Sequence, residues 1–554
     1  MPSLEKKIRF IPLGGLEEIG RNMAVIEYGD DLIIIDMGLQ FPEEDMPGID
    51  YIIPNIEYLK SKTKNIRGVL ITHGHYDHIG AMPHLMGPLG NPPIFTSALS
   101  RGIILKRQED YPSAPTLNIK AIKPLEKIKL GSLEVQFLPV DHTIPDSYSL
   151  CIKTPLGKIL HTSDFRFNKN HSPEIVELQK ACGPGVLALL SDSTGSEKEG
   201  HSISEDEVTK NLDKIFSQSK GRIVAVTFSS LISRIQEIMT LAEKYNRYVA
   251  IEGYSMRSNV EIAQRLGFIK TKPKTFILSK NVINYPDEKI VILGTGAQGE
   301  PNAFLMRLAT GEHKHLKIKP GDAIIFSSSV VPGNERSVQN LKDSLFRSGA
   351  KVYHYQMMDI HASGHAYQED LIKMMDITHP KYFIPVHGNH YMLRLHADLA
   401  EAHGIKGSDI FVLDNGHILE IGRSGAIILN QKVPTSYVMV DGLGVGDVGS
   451  VVIRDRRMMS ADGMFTVLVM IDSETGKIHR KPQIISRGFI YMKESQDIID
   501  EARSLIKKIV ESASGREGTT NWTYVQQKLR NEIGDFLYRK TQRRPMVLPV
   551  VVEL

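Results

Sequence analysis

The chain of 554 residues is too long for a single hydrophobic core, and about two to four domains are expected. Its 67 Lys and Arg residues nearly balance its 64 Asp and Glu residues, so bulk charge does not indicate nucleic-acid binding, and a polyanion would need a local groove. The two cysteines, Cys151 and Cys182, are too few for a cysteine-based zinc site or a secreted disulfide framework.

The sequence shows no sign of a membrane segment. No apolar run approaches the roughly 18–20 residues that a membrane span needs, and the polar segment Met1–Lys7 lacks the apolar core of a signal peptide. We therefore expect a cytoplasmic protein that has no membrane partner.

The part before about residue 203 contains short apolar runs that end in polar loops. These runs are Leu32–Asp36, Gly68–Thr72, Val135–Val140 and Lys158–His161. Runs of this kind predict buried strands, and the C-terminal ends of such strands carry catalytic loops.

Between residues 204 and 371, predicted strands and helices alternate. Ser204 and Glu207 form a capping box at the start of a helix that should end near Ser219. Strands are then predicted at Arg222–Thr227, Tyr248–Glu252, Ile290–Leu293, Ala323–Ser327 and Lys351–His354. The alternation is typical of a doubly wound parallel sheet, so we assign residues 204–371 to a separate α/β module.

The pattern returns to strand and loop after about residue 370, where Tyr382–Val386 leads into His387. A Gly-rich stretch predicts a linker over residues 431–450. Residues 451–554, with a strand at Met464–Ile471 and two helical patterns, predict a small α+β domain. Residues 1–203 and 372–430 would then form one domain that the α/β module interrupts.

A possible metal-binding loop follows the strand that ends at Thr72, and its sequence is His73-Gly74-His75-Tyr76-Asp77-His78. Four metal-ligating side chains so close together are rare by chance. The first two histidines would point the same way in an extended segment, and Asp77 and His78 would lie on the next turn, so one loop could serve two ions. Imidazole suits zinc, and a mixed nitrogen and oxygen shell is typical of hydrolytic sites.

One loop cannot complete two metal sites, and further candidate ligands lie at other strand ends. Asp141-His142 follows Val140, Asp164 follows His161-Thr162-Ser163, and His387 follows Val386. Each of them alone is more typical of a hydrogen-bonded polar residue at a strand end. Together they predict one active-site rim.

The HxHxDH motif, followed by a His, an Asp and a distant His, resembles the metallo-β-lactamase superfamily. The resemblance implies an αββα sandwich that holds two Zn²⁺ ions, with Mn²⁺ as the alternative, and an Asp36 that orients the metal loop from outside the ligand set. The implied ligands are His73, His75 and His142 for one ion, Asp77, His78 and His387 for the other, and Asp164 as the bridge between them.

The segment between Asp164 and His387 resembles the inserted β-CASP module of nucleic-acid-processing members. Asp192 matches the acid expected after the bridging Asp, and His365 matches an isolated His of that module. Four further segments are similar to the ribonuclease J family, and they span the chain: Gly14–Gly20 (GGLEEIG), Gly294–Pro301 (GTGAQGEP), Ser486–Phe489 (SRGF) and Arg543–Met546 (RRPM).

This resemblance implies a metal-dependent ribonuclease that works as a 5′→3′ exonuclease and as an endonuclease and prefers RNA with a 5′-monophosphate. Asp77 would accept a hydrogen bond from the nucleophile that the metals activate, and His365, oriented by Asp192, would assist the leaving oxygen. The residues implied around the substrate are His361, Ser363, Gly364, His365 and Ser230.

The expected partner is RNA, in the maturation of ribosomal RNA and the decay of messenger RNA. A homodimer or homotetramer is expected as well, and other RNA-decay proteins are further candidate partners.

The chain departs from such relatives at two places. Asn389 stands where an acid is usual, two residues after the last ligand His, and Ser229–Arg234 (SSLISR) stands where an Asn and a His are usual. The first departure concerns a contact outside the ligand set. The second, through Leu231 and Ser233, concerns substrate binding on the β-CASP side.

Three other patterns allow more than one interpretation. The GxGxxG of Gly294, Gly296 and Gly299 lacks the acid that a dinucleotide ribose needs, so we favour a turn that lines the RNA cleft or is purely structural. The loops Ser327-Ser328-Ser329 and Pro332-Gly333-Asn334 suit a phosphate or an ordinary strand-to-helix connection. Basic clusters occur at Arg454–Arg457, His479–Lys481 and Arg539–Arg544. Such clusters are typical of solvated faces, and the alternative is that they contact RNA along its length or contact another subunit.

Two competing functions are less consistent with the sequence. A hydrolase of a small ester or thioester would not need the inserted module. An RNA-binding relative without catalysis would lack metal ligands, whereas all seven implied ligands are present here.

Overall fold

The computed structural model describes residues 6–43, 45–167, 173–331, 333–472, 477–492, 494–513 and 522–554. Two segments named above lie partly outside these ranges: residues 1–5 of the N-terminal segment, and Pro332 of the loop that continues with Gly333 and Asn334. Contacts divide the chain into two compact units, Met1–Phe41 with Ile52–Val438 and Pro42–Tyr51 with Met439–Leu554. The domain boundaries drawn from the sequence stay predictions.

The first unit begins with short strands and short helices. The strands are β1 (Ile8–Gly14), β2 (Met23–Tyr28), β3 (Asp31–Ile35), β4 (Tyr51–Ile53), β5 (Ile66–Leu70), β6 (Ile94–Thr96), β7 (Ile119–Ala121), β8 (Lys127–Leu130), β9 (Leu133–Val140), β10 (Ser147–Thr154), β11 (Gly157–His161) and β12 (Ala188–Asp192). The helices are α1 (Glu57–Lys60), α2 (Tyr76–Ile79), α3 (Met82–Leu85), α4 (Ala98–Gln108) and α5 (Pro173–Cys182). The four strands predicted from apolar runs are confirmed as β3, β5, β9 and β11.

Strands and helices then alternate, as predicted. The elements are α6 (Glu205–Gln218), β13 (Ile223–Val226), α7 (Ile232–Lys244), β14 (Tyr248–Ile251), α8 (Tyr254–Arg265), β15 (Phe276–Ile277), β16 (Ile290–Gly294), α9 (Phe304–Ala309), β17 (Ala323–Phe326), α10 (Glu335–Arg347) and β18 (Lys351–His354). The Glu207 N–H donates to the Ser204 hydroxyl at 3.3 Å, which confirms the predicted cap of α6.

The first unit ends with α11 (Gln368–Thr378), β19 (Tyr382–Val386), α12 (His390–Ala402), β20 (His417–Gly422) and β21 (Gly425–Lys432). Short 3₁₀ helices lie at Thr63–Asn65, Ser279–Asn284, Asp287–Lys289 and Gly407–Asp409. The prediction of strand and loop after about residue 370 is wrong for α11 and α12. One reason is that His396 is fully buried on the inner face of α12, and a polar residue at that position obscures the apolar period.

Two sheets pack face to face in this unit. Their strand orders are β21-β20-β1-β2-β3-β5-β6-β7 and β19-β12-β11-β10-β9-β8. The core between them joins Ile26 and Ile33 of the first sheet to Val135 and Ile384 of the second. Helices α5, α11 and α12 pack on the second sheet through a separate apolar cluster. This is the predicted αββα sandwich.

The third sheet of the unit has the order β15-β14-β16-β13-β17-β18, and all its strands are parallel. The predicted doubly wound module is therefore confirmed. A Cβ on Gly294 would lie 2.2 Å from Phe304 Cδ1, so close packing of α9 on β16 explains the first glycine of the GxGxxG pattern without a ligand.

The second unit contains β22 (Val438–Asp441), β23 (Gly444–Val445), α13 (Ser450–Asp462), β24 (Met464–Ile471), β25 (Gln483–Arg487), α14 (Gln496–Ala513), α15 (Trp522–Thr541) and β26 (Met546–Glu553). The stretch predicted as a linker thus includes the short hairpin β22–β23. Strand β24 pairs antiparallel with β25 and parallel with β26, and Phe465 and Val467 share a core with Ile506 and Leu529 of the helices. This is the predicted α+β domain, with α13 as a third helix.

None of the helices in the described ranges is long and apolar enough to cross a membrane.

Candidate metal centre

The seven candidate ligands lie shortly after strands, in loops or in the short helix α2. The HGHYDH motif follows β5: His73 and His75 precede the short helix α2, and Asp77 and His78 lie in it. His142 follows β9, and Asp164 follows β11. His387 follows β19, which pairs in parallel with β12, so that His387 and Asp192 lie at the same edge of the second sheet.

The first group of ligand atoms comes from His73, His75, His142 and Asp164, and all four atoms lie within 4.8 Å of one another. His75 Nδ1 lies 3.1 Å from His73 Nε2 and 3.2 Å from His142 Nε2. Asp164 Oδ2 lies 3.7 Å from His73 Nε2.

The second group comes from Asp77, His78, Asp164 and His387, again with all atoms within 4.8 Å. His78 Nε2 lies 3.3 Å from Asp77 Oδ2 and 3.3 Å from Asp164 Oδ2. His387 Nε2 lies 3.7 Å from Asp77 Oδ2. Asp164 is thus common to both groups.

These donor sets fit metal ions. Ligand atoms around a tetrahedral zinc ion with bonds of about 2.0–2.1 Å lie about 3.3–3.4 Å apart, close to the separations seen here. Three imidazoles with a carboxylate, and two imidazoles with two carboxylates, are both sets that zinc and manganese accept.

Three of the five candidate ligand histidines are held by a hydrogen bond from Nδ1, while Nε2 belongs to the ligand group. His78 Nδ1 donates to Asp36 Oδ2 at 2.8 Å, and His142 Nδ1 donates to the Gly364 carbonyl at 2.8 Å. His387 Nδ1 donates to Asp164 Oδ1 at 2.7 Å. Asp36 also accepts the Thr72 N–H at 2.8 Å, which fixes the start of the metal loop. Such bonds leave Nε2 with its lone pair toward the cluster.

Burial and charge divide the cluster electrostatically. Burial lowers the pKa of His75 to about 4 and holds the pKa values of His73 and His142 well below the usual range, so these imidazoles are neutral. Burial also lowers the pKa of His387, but Asp164 outweighs it and raises that pKa to about 9. The carboxylates around the second group therefore favour a positive charge at this place, as a cation site requires.

His365 and Asp192 form a pair beside the ligands. His365 Nδ1 donates to Asp192 Oδ2 at 2.7 Å, and the His365 ring lies 5.5 Å from that of His142 and 5.6 Å from that of His387. Burial lowers the pKa of His365, but the Asp192 carboxylate raises it above its usual value. Asp192 is buried behind the ring, whereas His365 is partly exposed.

The loop from Ile360 to His365 is fixed by two arginines that the sequence did not single out as site residues. Arg166 donates to the Ser363 carbonyl at 3.1 Å, and Arg234 donates to the Ile360 carbonyl at 2.7 Å. The Glu205 carboxylate forms ion pairs with both guanidinium groups. Since these partners are far apart in the chain, no local pattern could have revealed the network.

The remaining predicted substrate residues have different surroundings. The Ser363 hydroxyl accepts the His365 N–H at 3.2 Å, and His361 is half-buried, with its pKa lowered to about 3 by burial and by Arg234. Ser230 is half-buried in the loop after β13. The Ser327 hydroxyl donates to the Ile360 carbonyl at 2.7 Å and accepts from Arg234 at 2.9 Å. Its hydrogen bonds thus help to hold the Ile360 end of the loop.

Asn22 is a site residue that sequence reasoning missed. Its side-chain nitrogen lies 3.4 Å from Asp77 Oδ2, 3.2 Å from His78 Nε2 and 3.3 Å from His387 Nε2. Its position just after the GGLEEIG segment was the available signal. Asn389, one of the two departures noted above, is the residue before α12 and makes no side-chain capping bond there.

Four family models match the chain. They are the metallo-β-lactamase superfamily over residues 17–225, the β-CASP domain of ribonuclease J over 220–345, the RNA specificity domain of Zn-dependent metallo-hydrolases over 349–412, and the ribonuclease J C-terminal domain over 451–554.

Similar proteins are known over the full length. Ribonuclease J2 of Bacillus subtilis is 36% identical over 553 residues, which cover 99% of both chains. Ribonuclease J of Synechocystis is 37% identical over 98% of this chain and 86% of its own. A solved structure of a protein of unknown function from Enterococcus faecalis V583 covers 76% of this chain and all of its own with a TM-score of 0.53 and 16% identity, which supports the fold alone.

Proposed function

The chain belongs to the ribonuclease J family, and we propose that it cleaves RNA at two metal ions held by the cluster described above. Membership makes the protein a metal-dependent ribonuclease. The observation that carries the two-metal proposal is that Asp164 belongs to both groups of ligand atoms. A carboxylate can bridge two ions because each of its oxygens carries lone pairs.

The proposal assigns each ligand to one ion. His73, His75 and His142 would hold one Zn²⁺, Asp77, His78 and His387 would hold the other, and Asp164 would contact both, with Mn²⁺ as the alternative metal. When bound, two such ions lower the pKa of water and offset the negative charge of the scissile phosphate.

Protein groups would position the reactants. Asp77, which is half-exposed, would accept a hydrogen bond from the attacking water. Attack on phosphorus breaks the bond to the 3′-oxygen and leaves a 5′-phosphate on the downstream product. His365, whose Nδ1 is held by Asp192, would give a proton from Nε2 to that 3′-oxygen. Asp36 would keep His78 and the metal loop in place.

The metal assignment is tested by His75→Ala and Asp77→Ala. Each should abolish RNA cleavage while the circular dichroism of the parent is kept, because each removes a ligand and no core residue. The parent should contain about two zinc or manganese ions per chain and the variants fewer. His315→Ala, at an exposed histidine outside the cluster, serves as the control. Full activity of His75→Ala would show that the active site has been assigned wrongly.

The preference for a 5′ end is a second part of the proposal. An enzyme that starts at a 5′-monophosphate needs a closed pocket one nucleotide beyond the metals. The segment Ser363-Gly364-His365 would form its wall, and Arg166 and the Ser363 hydroxyl hold that wall in place. Ser230 and His361 would contribute from the β-CASP side. Such a pocket accepts one phosphate group and excludes the bulk and charge of three.

A digest of RNA labelled at either end tests this part. Monophosphorylated RNA should be degraded faster than triphosphorylated RNA, with mononucleotides released from the 5′ end. Ser363→Phe should remove the preference and leave internal cleavage of long RNA largely intact. Equal rates of the parent on both 5′ ends would exclude the pocket.

We further propose a cytoplasmic homodimer or homotetramer that acts in RNA maturation and decay. The C-terminal sheet supports association because Ile485, Leu548 and Val552 are exposed apolar residues. Deleting the chain after about residue 450 should change the oligomeric state more than the metal content, since every candidate ligand precedes residue 390. A truncated protein that sediments as the same oligomer would contradict the idea.

A further inference from the structure

The open side of the metal cluster is marked by a tyrosine inside the ligand motif. His73, His78, His142, Asp164 and His387 are buried, whereas His75 and Asp77 are half-exposed. Tyr76 stands between these two residues and has 40% of its surface exposed. The solvent-exposed ligands of the cluster are thus the two chain neighbours of an exposed aromatic ring.

The Tyr76 ring is supported by an arginine. The Arg107 guanidinium lies 4.7 Å from the ring centroid, and Arg107 Nε donates to the Gly80 carbonyl at 3.0 Å. Arg107 also donates to the Tyr111 hydroxyl at 3.3 Å. An arginine held in this way orders the ring, so that little side-chain entropy is lost when a ligand stacks on the part of the ring that stays exposed.

A second tyrosine and cation follow along α4. Lys106 Nζ lies 5.5 Å from the ring centroid of Tyr254, which begins α8 and is 65% exposed. Lys106 Nζ also contacts Glu109 at 2.6 Å, but exposed pairs of this kind are weak and can exchange for a phosphate. We call Tyr76, Lys106, Arg107 and Tyr254 the α4 strip. Each exposed ring of the strip has a cation beside it, Arg107 at Tyr76 and Lys106 at Tyr254.

We propose that the α4 strip binds single-stranded RNA beside the scissile phosphate, with one nucleobase stacked on Tyr76 and another on Tyr254. The proposal rests on the proposed function, since it assumes that RNA is cleaved at the adjacent cluster. Single strands expose base faces that stack on aromatic rings, and lysine and arginine neutralise the phosphates between them. Every base has such a face, so the strip would hold RNA of any sequence.

The test is a binding measurement on the full-length protein in EDTA, where RNA is not cleaved. A single-stranded RNA carries 2-aminopurine, whose fluorescence is quenched by stacking, at successive positions, and affinity is read from anisotropy. The parent should quench two positions strongly, one for the base on Tyr76 and one for the base on Tyr254. Tyr76→Phe should keep affinity and quenching, whereas Tyr76→Ala should abolish the quench at the first of these positions and weaken binding about 5- to 150-fold.

Tyr254→Ala is an independent variant, because Tyr254 lies outside the metal loop that Tyr76→Ala could disturb. It should remove the quench at a different RNA position, while Tyr491→Ala, at a tyrosine of 61% exposure in the other unit, should behave as the parent. Parent-like quenching in both Tyr76→Ala and Tyr254→Ala would overturn the proposal. So would weaker binding with the quench retained, which would indicate charge contacts alone.

Failure of the proposed function gives a different result. If the metal-loaded parent does not hydrolyse RNA but shows the quench and loses it in the two variants, the cleavage assignment fails and the α4 strip stands. If the parent hydrolyses RNA without any quench, the α4 strip fails and the cleavage assignment stands.

Discussion

A single methyl group added to the loop beside the metal cluster should weaken metal binding. In Gly364→Ala the new Cβ would lie 2.5 Å from His142 Cε1, 2.7 Å from His142 Nδ1 and 2.7 Å from Thr143 Cγ2. These separations are about 0.9 Å short of ordinary van der Waals contact. His142 and Thr143 are buried, and the Gly364 carbonyl accepts the hydrogen bond from His142 Nδ1, so neither side can withdraw freely.

The displacement exceeds what a metal site tolerates. Metal–ligand distances hold within about 0.2 Å, and the loss of an outer hydrogen bond to a ligand histidine lowers metal affinity about 10- to 100-fold. We therefore expect Gly364→Ala to bind the metal next to His142 about 10- to 100-fold more weakly, with a parallel loss of RNA cleavage at limiting metal that excess zinc or manganese partly restores.

Chelator competition with metal analysis measures the affinity, and cleavage of a labelled RNA against metal concentration measures the activity. Gly87→Ala is the matched control because its Cβ would meet nothing nearer than Pro115 at 3.8 Å. If Gly364→Ala keeps the metal affinity and the cleavage rate of the parent, the loop is not packed on His142 and the reasoning fails.

Two further predictions follow from the residues around the cluster. Asp192→Asn removes the charge that holds His365 and should lower kcat about 10²-fold or more. KM should change little, because Asp192 is buried behind His365. An unchanged kcat in steady-state cleavage would contradict this role of Asp192. Glu205→Ala removes the partner that Arg166 and Arg234 share, while each keeps its ion pair with Asp141 or Glu237. It should lower the unfolding free energy by about 2 kcal/mol, measured by urea denaturation. Burial raises the pKa of Glu205, but Arg234 and Arg166 lower it below its usual value. The stability that the Glu205 carboxylate contributes is therefore present above the ordinary carboxyl pKa and is lost as the pH falls through the lowered pKa of the folded protein. If the difference in unfolding free energy between parent and variant does not shrink in acid, the ion pairs are not its source.

Local sequence was sufficient for most of the elements and for the identity of the candidate ligands. Apolar runs predicted β3, β5, β9 and β11, and alternating periods predicted the parallel sheet of the inserted module. The HGHYDH segment placed four ligating side chains in one loop, and the other three stood directly after predicted strands. Such features depend on neighbours in the chain, so a pattern of a few residues can predict them.

The helix α12 and the surroundings of the ligands were not predictable in this way. His142 receives its carbonyl partner from Gly364, 222 positions along the chain. Glu205 of α6 pairs with Arg234 of α7 and with Arg166, which follows β11. Asn22 meets His387 only because β19 returns beside β12 after the long insertion.

The sequence by itself thus determined which residues can bind metal and in which loops they lie. The family resemblance already implied that Asp164 joins both ligand groups. Tertiary structure alone decided which hydrogen bonds hold the ligands, and that His75 and Asp77 stay half-exposed while the other five are buried. The physical reason is that these properties follow from strand order and from packing between distant segments, and hydrophobic periodicity carries no information about which strand becomes whose neighbour.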